Sequence, residues 1–167
     1  MDKKTNTPVE PEIRTIAEKR LVGKQLILSL AGNQTIRLWQ SFMPFRNAIN
    51  NRLSSDLISM QVYPSTFDFT FSNPWEEFQK WAAAEVNEFE AVPDGMETFT
   101  LMGGQYAVFQ YKGSSTDDTI FKYIFGTWLP ASGYLLDDRP HFEILGAKYR
   151  NNDPESEEEI WIPIKPK

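Results

Sequence analysis

Glu143 is the residue whose neighbours most strongly suggest chemistry. It lies between Phe142 and Ile144 in the strand-like run 141–145, so the apolar neighbours face one side of the strand and the carboxylate faces the other. Periodicity alone directs such a glutamate to water. If both sides are covered, an unpaired carboxylate costs several kcal/mol or takes up a proton. A lipophilic cation relieves that cost, and each aromatic ring around it adds roughly 0.5–2 kcal/mol.

Several other kinds of site are excluded by composition. The chain has no cysteine, which excludes disulfides, thiol nucleophiles and cysteine-ligated zinc. His141 is the only histidine, which excludes a histidine-rich metal site and a Ser-His-Asp triad placed elsewhere. The acidic run near the C-terminus lacks the ligand order and central glycine of an EF-hand, so we interpret it as a solvated hairpin loop. Its carboxylates are Asp153, Glu155, Glu157, Glu158 and Glu159. The sequence predicts no metal and no cofactor.

Length and charge narrow the class of protein further. A chain of 167 residues fits one domain with room for a core. Its net charge of −6 and its single small basic cluster, Lys19, Arg20 and Lys24, argue against direct nucleic acid binding. The N-terminus is polar, without the apolar region of a signal peptide, and no apolar run is long enough for a membrane span. These features predict a cytoplasmic protein that does not bind membranes.

Hydrophobic periodicity predicts two similar halves. Strands are expected over 13–30, interrupted at Gly23, and then over 57–63, 81–89, 97–102, 105–112, 142–147 and 159–164. Helices are expected from Thr35 to Pro44 and from Thr119 to about Pro130. Each half then has β-α-β-β order with a preceding strand, and the helix ends 39–44 and 125–130 share aromatic and proline spacing.

The predicted fold class is therefore α+β. We expect an antiparallel sheet of about eight strands, two main helices on one face, and a cleft where the halves meet. Residues 1–10 are predicted to be a disordered lead-in and 11–167 a single domain, with repeats over about 12–92 and 95–165.

The aromatic residues allow two interpretations. There are twelve Phe, six Tyr and five Trp, enough to fill a core and also to line a cavity. The second helix has two apolar stripes where one suffices to pack on a sheet. The first consists of Ile120, Tyr123, Ile124 and Thr127, and the second of Phe121, Phe125 and Trp128. Either this helix is buried on more than one side, or its second stripe walls a pocket together with Trp39 and Phe42 of the first helix.

Three segments resemble the gyrase-inhibitor-like (GyrI-like) small-molecule-binding family. They are the Gly-Gly-Gln-Tyr-Ala-Val-Phe run 103–109, the His-Phe-Glu-Ile-Leu run 141–145, and the closing run 159–165. The resemblance extends from about Ile13 to Ile164. This family also supplies the effector-binding half of multidrug-responsive and AraC-type transcription activators. The resemblance implies that Glu143 lies inside the ligand pocket and that Trp161 takes the place of an aromatic residue in the closing strand.

We favour a stand-alone binding module for small aromatic or lipophilic molecules, including cations, over an enzyme. The predicted ligand-binding residues are Glu143, Trp39, Phe42, Phe125, Trp128 and Trp161. One alternative is a hydrolase of cyclopropane-bearing compounds, with Glu143 as catalytic residue. Its tyrosine partner would be one of Tyr63, Tyr106, Tyr111 and Tyr123. The other alternative is an inhibitor that binds a protein such as gyrase, and the sequence names no such partner.

Overall fold

A computed structural model describes residues 9–167, so the predicted lead-in lies outside the described residues except for Val9 and Glu10. The strands are β1 (Glu12–Ile16), β2 (Lys19–Leu28), β3 (Leu57–Val62), β4 (Phe78–Val86), β5 (Glu97–Leu101), β6 (Gly104–Lys112), β7 (Tyr134–Leu136), β8 (His141–Leu145) and β9 (Glu157–Pro166). Helix α1 (Thr35–Phe42) runs into a 3-10 helix, Met43–Ala48. Helix α2 (Thr119–Tyr123) continues as a π-helical turn, Ile124–Trp128, and a final α-helical turn, Leu129–Ala131.

The strands form one antiparallel sheet with a symmetric order. The order is β1-β6-β9-β8-β3-β4-β2-β5, and the short β7 pairs with β9. Strands β5, β6, β8 and β9 of the second half correspond to β1, β2, β3 and β4 of the first. When each strand is replaced by its counterpart, the order is the same read from the opposite edge. The two central strands, β3 and β8, come from different halves and pair directly. The predicted α+β fold is confirmed, with β7 as an additional strand; the residue limits of the repeats stay a prediction.

The sheet curls so that its edges approach each other. Strand β5 lies at one edge and β6 is second from the other, about 29 Å away in a flat sheet with strands 4.8 Å apart. The chain passes from Leu101 to Gly104 in three residue steps, which span at most about 11 Å. Gly103 permits this approach, because a Cβ there would lie 2.5 Å from the carbonyl oxygen of Ile16. The concave face of the curled sheet therefore encloses a core of its own.

The concave face carries an apolar core bordered by polar residues that include Gln79 and Glu159. Its core consists of Leu21, Ile58, Met60, Trp81, Ala83, Leu101, Tyr106, Val108, Phe142 and Trp161. The helices cover the opposite, convex face. Leu38 and Phe42 of α1 pack on Ala82 and Ala84 of β4, and Ile120 and Ile124 of α2 pack on residues of β6 and β9. Each strand thus contributes alternate residues to two separate cores.

The largest local difference from the predicted elements is at Gly23. The sequence predicts an interruption there, but β2 is continuous through it and pairs with β4 along its length from Arg20 to Leu28. A side chain at this position would place its Cβ 2.1 Å from the carbonyl oxygen of Ala82, so glycine is required by close packing and does not end the strand.

Candidate functional site

The centre of the convex face lies between the two helices. Helix α1 packs over β2 and β4, and α2 packs over β6 and β9, which leaves the central strands β3 and β8 between them. The residues of these strands that face the same side as the helices are Leu57, Ser59, Gln61, His141, Glu143 and Leu145. We call this region the seam. The predicted cleft between the halves corresponds to it.

The seam concentrates the polar residues that the protein buries. Six polar or charged residues are buried in the described part of the chain, and four of them, Ser59, Gln61, His141 and Glu143, lie on the seam. Buried polar groups are costly unless they are hydrogen-bonded. Their collection on two adjacent strands, between two apolar cores, therefore marks this region as the candidate site.

Glu143 is buried and only partly satisfied. The residue is 8% exposed, so the alternation that would direct it to water instead places it under the helix layer. Gln61 Nε2 donates a hydrogen bond to Oε1 at 3.4 Å. The other carboxylate oxygen, Oε2, is buried and has no hydrogen-bond partner among the described residues. Burial raises the pKa of Glu143, and Lys80 and Gln61 oppose that increase.

A second carboxylate, Glu158, faces the same region. Glu143 is opposite Ile160 in the β8–β9 register, so Glu158 is its diagonal neighbour, about 7–8 Å away between Cα atoms. Burial and the nearby charge of Glu143 raise the pKa of Glu158 to about 8, against the effect of Lys80. The interpretation of Glu158 as part of a solvated loop is therefore wrong. Strand β9 begins at Glu157, and Glu158 alternates in phase with Ile160.

Lys80 is the basic residue of the seam region. It is opposite Gln61 in the β3–β4 register and is half-buried. Burial lowers its pKa, whereas Glu143 and Glu158 oppose that change. Lys80 forms no ion pair within 4.0 Å among residues 9–167, and neither do Glu143 and Glu158. Sequence reasoning missed Lys80. Lys80 is two residues before the buried Ala82 in β4, so both side chains point to the same face, and this spacing could have identified it.

Two tyrosines lie close enough to Glu143 for its charge to affect them. Burial, and then the charge of Glu143, raises the pKa of Tyr63. Burial also raises the pKa of Tyr149, with added contributions from Glu158 and Glu143. Tyr106, a predicted alternative, lies on the concave face, where its hydroxyl donates to Pro140 O at 3.4 Å. The Tyr111 hydroxyl donates to Ser114 O at 2.9 Å. Tyr123 packs against the core under α2. Among the four candidate partners, Tyr63 is therefore the best placed.

One end of the seam is closed by an aromatic loop, which we define as residues 63–71. The Phe69 ring stacks on two others, with its centroid 5.2 Å from that of His141 at an interplanar angle of 4° and 5.2 Å from that of Phe125 at 27°. The His141 and Phe125 centroids are 5.9 Å apart, so the three rings form a triangular cluster. The loop belongs to the first half of the chain and Phe125 belongs to the second. Burial lowers the pKa of His141 to about 3, so the ring on which Phe69 stacks is neutral.

The two predicted residues of α1 lie away from Glu143 in the core beneath that helix. Phe42 is fully buried between α1 and the sheet, so it is not available to a ligand in this conformation. Trp39 is half-buried and packs edge-to-face on Phe42, with ring centroids 5.7 Å apart.

The remaining predicted aromatic residues lie in three different places. Phe125 is at the seam, beside Phe69 and His141. Trp128 packs edge-to-face on Phe109 at 5.2 Å, within the core under α2. Trp161 does not line a pocket with Glu143. It is opposite Phe142 in the β8–β9 register and stacks on it at 5.2 Å, on the concave face. Trp161 and Ile160 are adjacent in β9, so their side chains point to opposite faces of the sheet, and it is Ile160 that pairs with Glu143.

The cavities are small for a drug-sized ligand. One of about 90 Å³ adjoins the aromatic loop and is lined by Tyr63, Phe69, Asp137, Arg139 and His141 among others. Drug-sized sites usually enclose about 300–1,000 Å³. A larger cavity of about 200 Å³ lies away from the seam, near the Lys19–Glu85 ion pair. We regard the smaller one as relevant because Tyr63 and the seam residue His141 line it, and the charge of Glu143 acts on Tyr63.

Residues 9–167 contain no cluster of three or more potential metal-ligating side chains. In the same part of the chain, no helix has the length and apolar character needed to cross a membrane.

Comparison with known proteins identifies relatives of both sequence and fold. The transcriptional regulator BrlR of Pseudomonas aeruginosa is 27% identical over 146 residues, 86% of this chain and 51% of BrlR. The chain thus spans about half the length of this curated relative. The structure of SAV2435 bound to tetraphenylphosphonium has a TM-score of 0.71 at 15% identity, covering 93% of this chain and 94% of that one.

Other solved structures share the fold at similar identity. EcmrR in a complex with DNA has a TM-score of 0.70 at 14% identity, covering 99% of this chain and 60% of that one. A hydrolase from Listeria innocua has a TM-score of 0.58 at 12% identity, covering 98% and 96%. The model of the GyrI-like small molecule binding domain matches residues 9–165, which confirms the predicted resemblance. The chain belongs to the GyrI-like small-molecule-binding domain family.

Proposed function

We propose that this protein binds aromatic, lipophilic cations at the seam, with Glu143 as the anionic contact. The observation that carries the proposal is the unpartnered Oε2 of Glu143, buried between the two halves. A buried carboxylate oxygen without a hydrogen-bond donor destabilises the empty protein by roughly 1–3 kcal/mol or more. A bound cation compensates that cost. The same oxygen therefore lowers the stability of the empty protein and raises its affinity for a cation.

Charge and aromatic area both favour this class of ligand. Glu158 adds a second carboxylate as a diagonal neighbour of Glu143, and both become ionised more readily when a cation is bound. Tyr63, Phe69 and Phe125 supply ring faces at one end of the seam. A cation within about 6 Å of a ring centroid gains roughly 0.5–2 kcal/mol per ring.

The aromatic loop must move to admit such a ligand. The cavity of about 90 Å³ beside it holds less than one drug-sized molecule. The Phe69 ring stacks on both His141 and Phe125 in a cluster of three rings, and a planar ligand ring could take its place there. We therefore propose that Phe69 leaves this position when a ligand ring enters it.

Relatives support a role in drug sensing or sequestration. SAV2435 has been solved with tetraphenylphosphonium bound, which is an aromatic cation of the proposed class. BrlR is a transcriptional regulator, and the similarity covers about half of it. We propose that the present chain provides the ligand-binding function of such systems, without contacting DNA itself.

The proposal is tested by titration calorimetry with tetraphenylphosphonium and with triphenylphosphine oxide, a neutral molecule carrying three phenyl rings. Glu143→Gln should weaken binding of the cation by about 2–5 kcal/mol and binding of the neutral compound far less. Glu159→Gln is the matched control, because Glu159 is a neighbour of Glu158 that accepts hydrogen bonds from Gln110 and Trp161 on the other face. Equal losses for both compounds would show that Glu143 has a structural role only.

A second candidate function is hydrolysis of small electrophilic compounds. The observation that favours it is the proximity of Tyr63 to a carboxyl group whose pKa is raised, since such a group can donate and accept protons near neutral pH. Incubation with a reactive cyclopropane compound tests this. Turnover lost in both Glu143→Gln and Tyr63→Phe supports the hydrolase, and binding without turnover supports the binding module.

A further inference from the structure

The ionisable groups near the seam are separated by sign across four adjacent strands. In the order β4-β3-β8-β9, the helix-side residues include Lys80 on β4, Gln61 on β3, Glu143 on β8 and Glu158 on β9. Lys80 therefore lies on the side of the first half and both carboxyl groups lie on the side of the second, where Arg139, whose charge acts on His141, is paired with Asp137. Gln61 stands between them, paired in register with Lys80 and hydrogen-bonded to Glu143.

Neither end of this arrangement is neutralised by direct contact. All six ion pairs among residues 9–167 form elsewhere. Lys80 and Glu143 lie on strands two spacings apart, about 10 Å across the sheet, which is too far for a direct contact between the strands themselves. The buried Oε2 of Glu143 is therefore costly when ionised, and the half-buried Lys80 has no carboxylate of the described residues within 4.0 Å to offset its charge.

We propose that Lys80 is a specificity-determining residue that binds an anionic group of the ligand, so that the seam selects aromatic zwitterions. This inference rests on the proposed function, because it assumes that the cationic part of the same ligand binds at Glu143. A zwitterion that reaches both side chains compensates both ends at once. A ligand with a positive charge alone compensates one end and is repelled by Lys80.

The two kinds of ligand should therefore respond to the loss of Lys80 in opposite directions. Replacing its ammonium by a neutral side chain removes the partner of the ligand anion, which weakens binding of a zwitterion. The same replacement removes a positive charge from a site occupied by a cation, which strengthens binding of a simple cation. A residue that supports only the local fold would change both affinities in the same direction.

Two dyes that share a ring system provide the test. Rhodamine 110 carries a free carboxylate and is a zwitterion, whereas rhodamine 123 is its methyl ester and is a cation. Fluorescence anisotropy titrations would compare wild type, Lys80→Met, Lys80→Gln and Lys24→Met. Lys24 is a matched control on the same side of the neighbouring strand β2, where its ammonium lies over the Phe45 ring at 5.1 Å.

Both Lys80 variants should weaken rhodamine 110 by tenfold or more and bind rhodamine 123 as tightly as wild type or more tightly, while Lys24→Met changes neither. Parallel changes for both dyes, or no change for rhodamine 110, would overturn the role of Lys80. If rhodamine 123 still binds wild type and is lost in Glu143→Gln, the proposed function survives that failure. If neither dye binds wild type, both the proposed function and this inference are wrong. Using two substitutions and checking the thermal melting of each separates an effect on binding from a failure to fold.

Discussion

The two faces of the central sheet serve different purposes, and adjacent residues show the difference. Phe142 points into the concave core, where it is fully buried and stacks on Trp161. Glu143, the next residue, points to the convex side, where it is equally inaccessible but has an unpartnered carboxylate oxygen. The concave face is packed mainly with apolar side chains, although Gln25 Oε1 on that side also lacks a hydrogen-bond partner among the described residues. The convex face places an unpartnered carboxylate oxygen between two helices.

This contrast separates stability from binding. The concave core contributes ring area whose polar atoms are satisfied, as with the Tyr106 hydroxyl and Pro140 O. On the seam and the two strands that flank it, Lys80, Glu143 and Glu158 form no ion pair in the described part of the chain. We expect substitutions on the first face to change folding and substitutions on the second to change ligand affinity.

The largest effect is expected from Phe142→Ala. Removing a fully buried ring leaves a cavity in the concave core, and we expect the free energy of unfolding to fall by about 3–5 kcal/mol. Urea denaturation measures the loss. Tetraphenylphosphonium affinity of the folded fraction should be unchanged. A loss of tetraphenylphosphonium affinity in the milder Phe142→Leu variant would show that the two faces are not independent.

Glu143→Gln should give the opposite result. It removes a buried charge with one unpartnered oxygen, so we expect the free energy of unfolding to rise by roughly 1–3 kcal/mol while cation affinity falls. Urea denaturation without ligand checks the first part and calorimetry the second. A destabilised Glu143→Gln variant would mean that the carboxylate supports the fold.

A rise in pH should change the stability and the ligand affinity of the wild type in opposite directions. The pKa of Glu158 is raised from 4.5 to about 8, so the folded protein holds a proton that the unfolded chain has lost. Stability of the empty protein should therefore decrease as pH rises from about 4.5 through about 8. Affinity for tetraphenylphosphonium should increase over the upper part of that range, because ionisation of Glu158 adds an attractive charge.

Measurements of unfolding and of binding between pH 6 and pH 9 would check both slopes, with a change in affinity of about tenfold as the expected scale. Glu158→Gln should flatten the stability profile and most of the affinity profile. An unchanged affinity profile in that variant would remove Glu158 from the site.

The smallest effect is expected from Phe69→Ala. Loss of two stacked aromatic contacts should cost about 1–2 kcal/mol of stability. If Phe69 must leave before a ligand ring enters, association in stopped-flow fluorescence should become faster. Trp75→Ala is the control, since Trp75 is 70% exposed in the same β3–β4 connection. Slower association in Phe69→Ala would show that this ring is part of the binding surface.

The fold could be predicted further than the site. Local periodicity predicts strands over 105–112 and 159–164 and a helix from Thr119. The structure has these elements at nearly the predicted bounds. The β7 strand was missed because three residues carry too little periodicity to detect. The predicted break at Gly23 is wrong because the reason for this glycine, close approach to Ala82, depends on a neighbouring strand that local sequence does not reveal.

Glu143 was identified through family resemblance, because alternation alone would have directed it to water. Lys80 and Glu158 were missed for a related reason. A lysine or glutamate in a strand normally faces solvent, and burial of these two depends on how the helices and loops of both halves meet over the sheet. Trp161 was assigned to the pocket by family position, although its phase with Phe142 places it in the concave core.

The central claim is that a cation binds on the convex face beside Glu143. A crystal of the complex with tetraphenylarsonium would test it most directly, because arsenic gives an anomalous signal that locates the cation independently of the ring density. We expect the arsenic peak at the seam, with Phe69 displaced and the cation within about 6 Å of a ring centroid. An arsenic peak on the concave face, or at the distant cavity beside Lys19 and Glu85, would contradict the account.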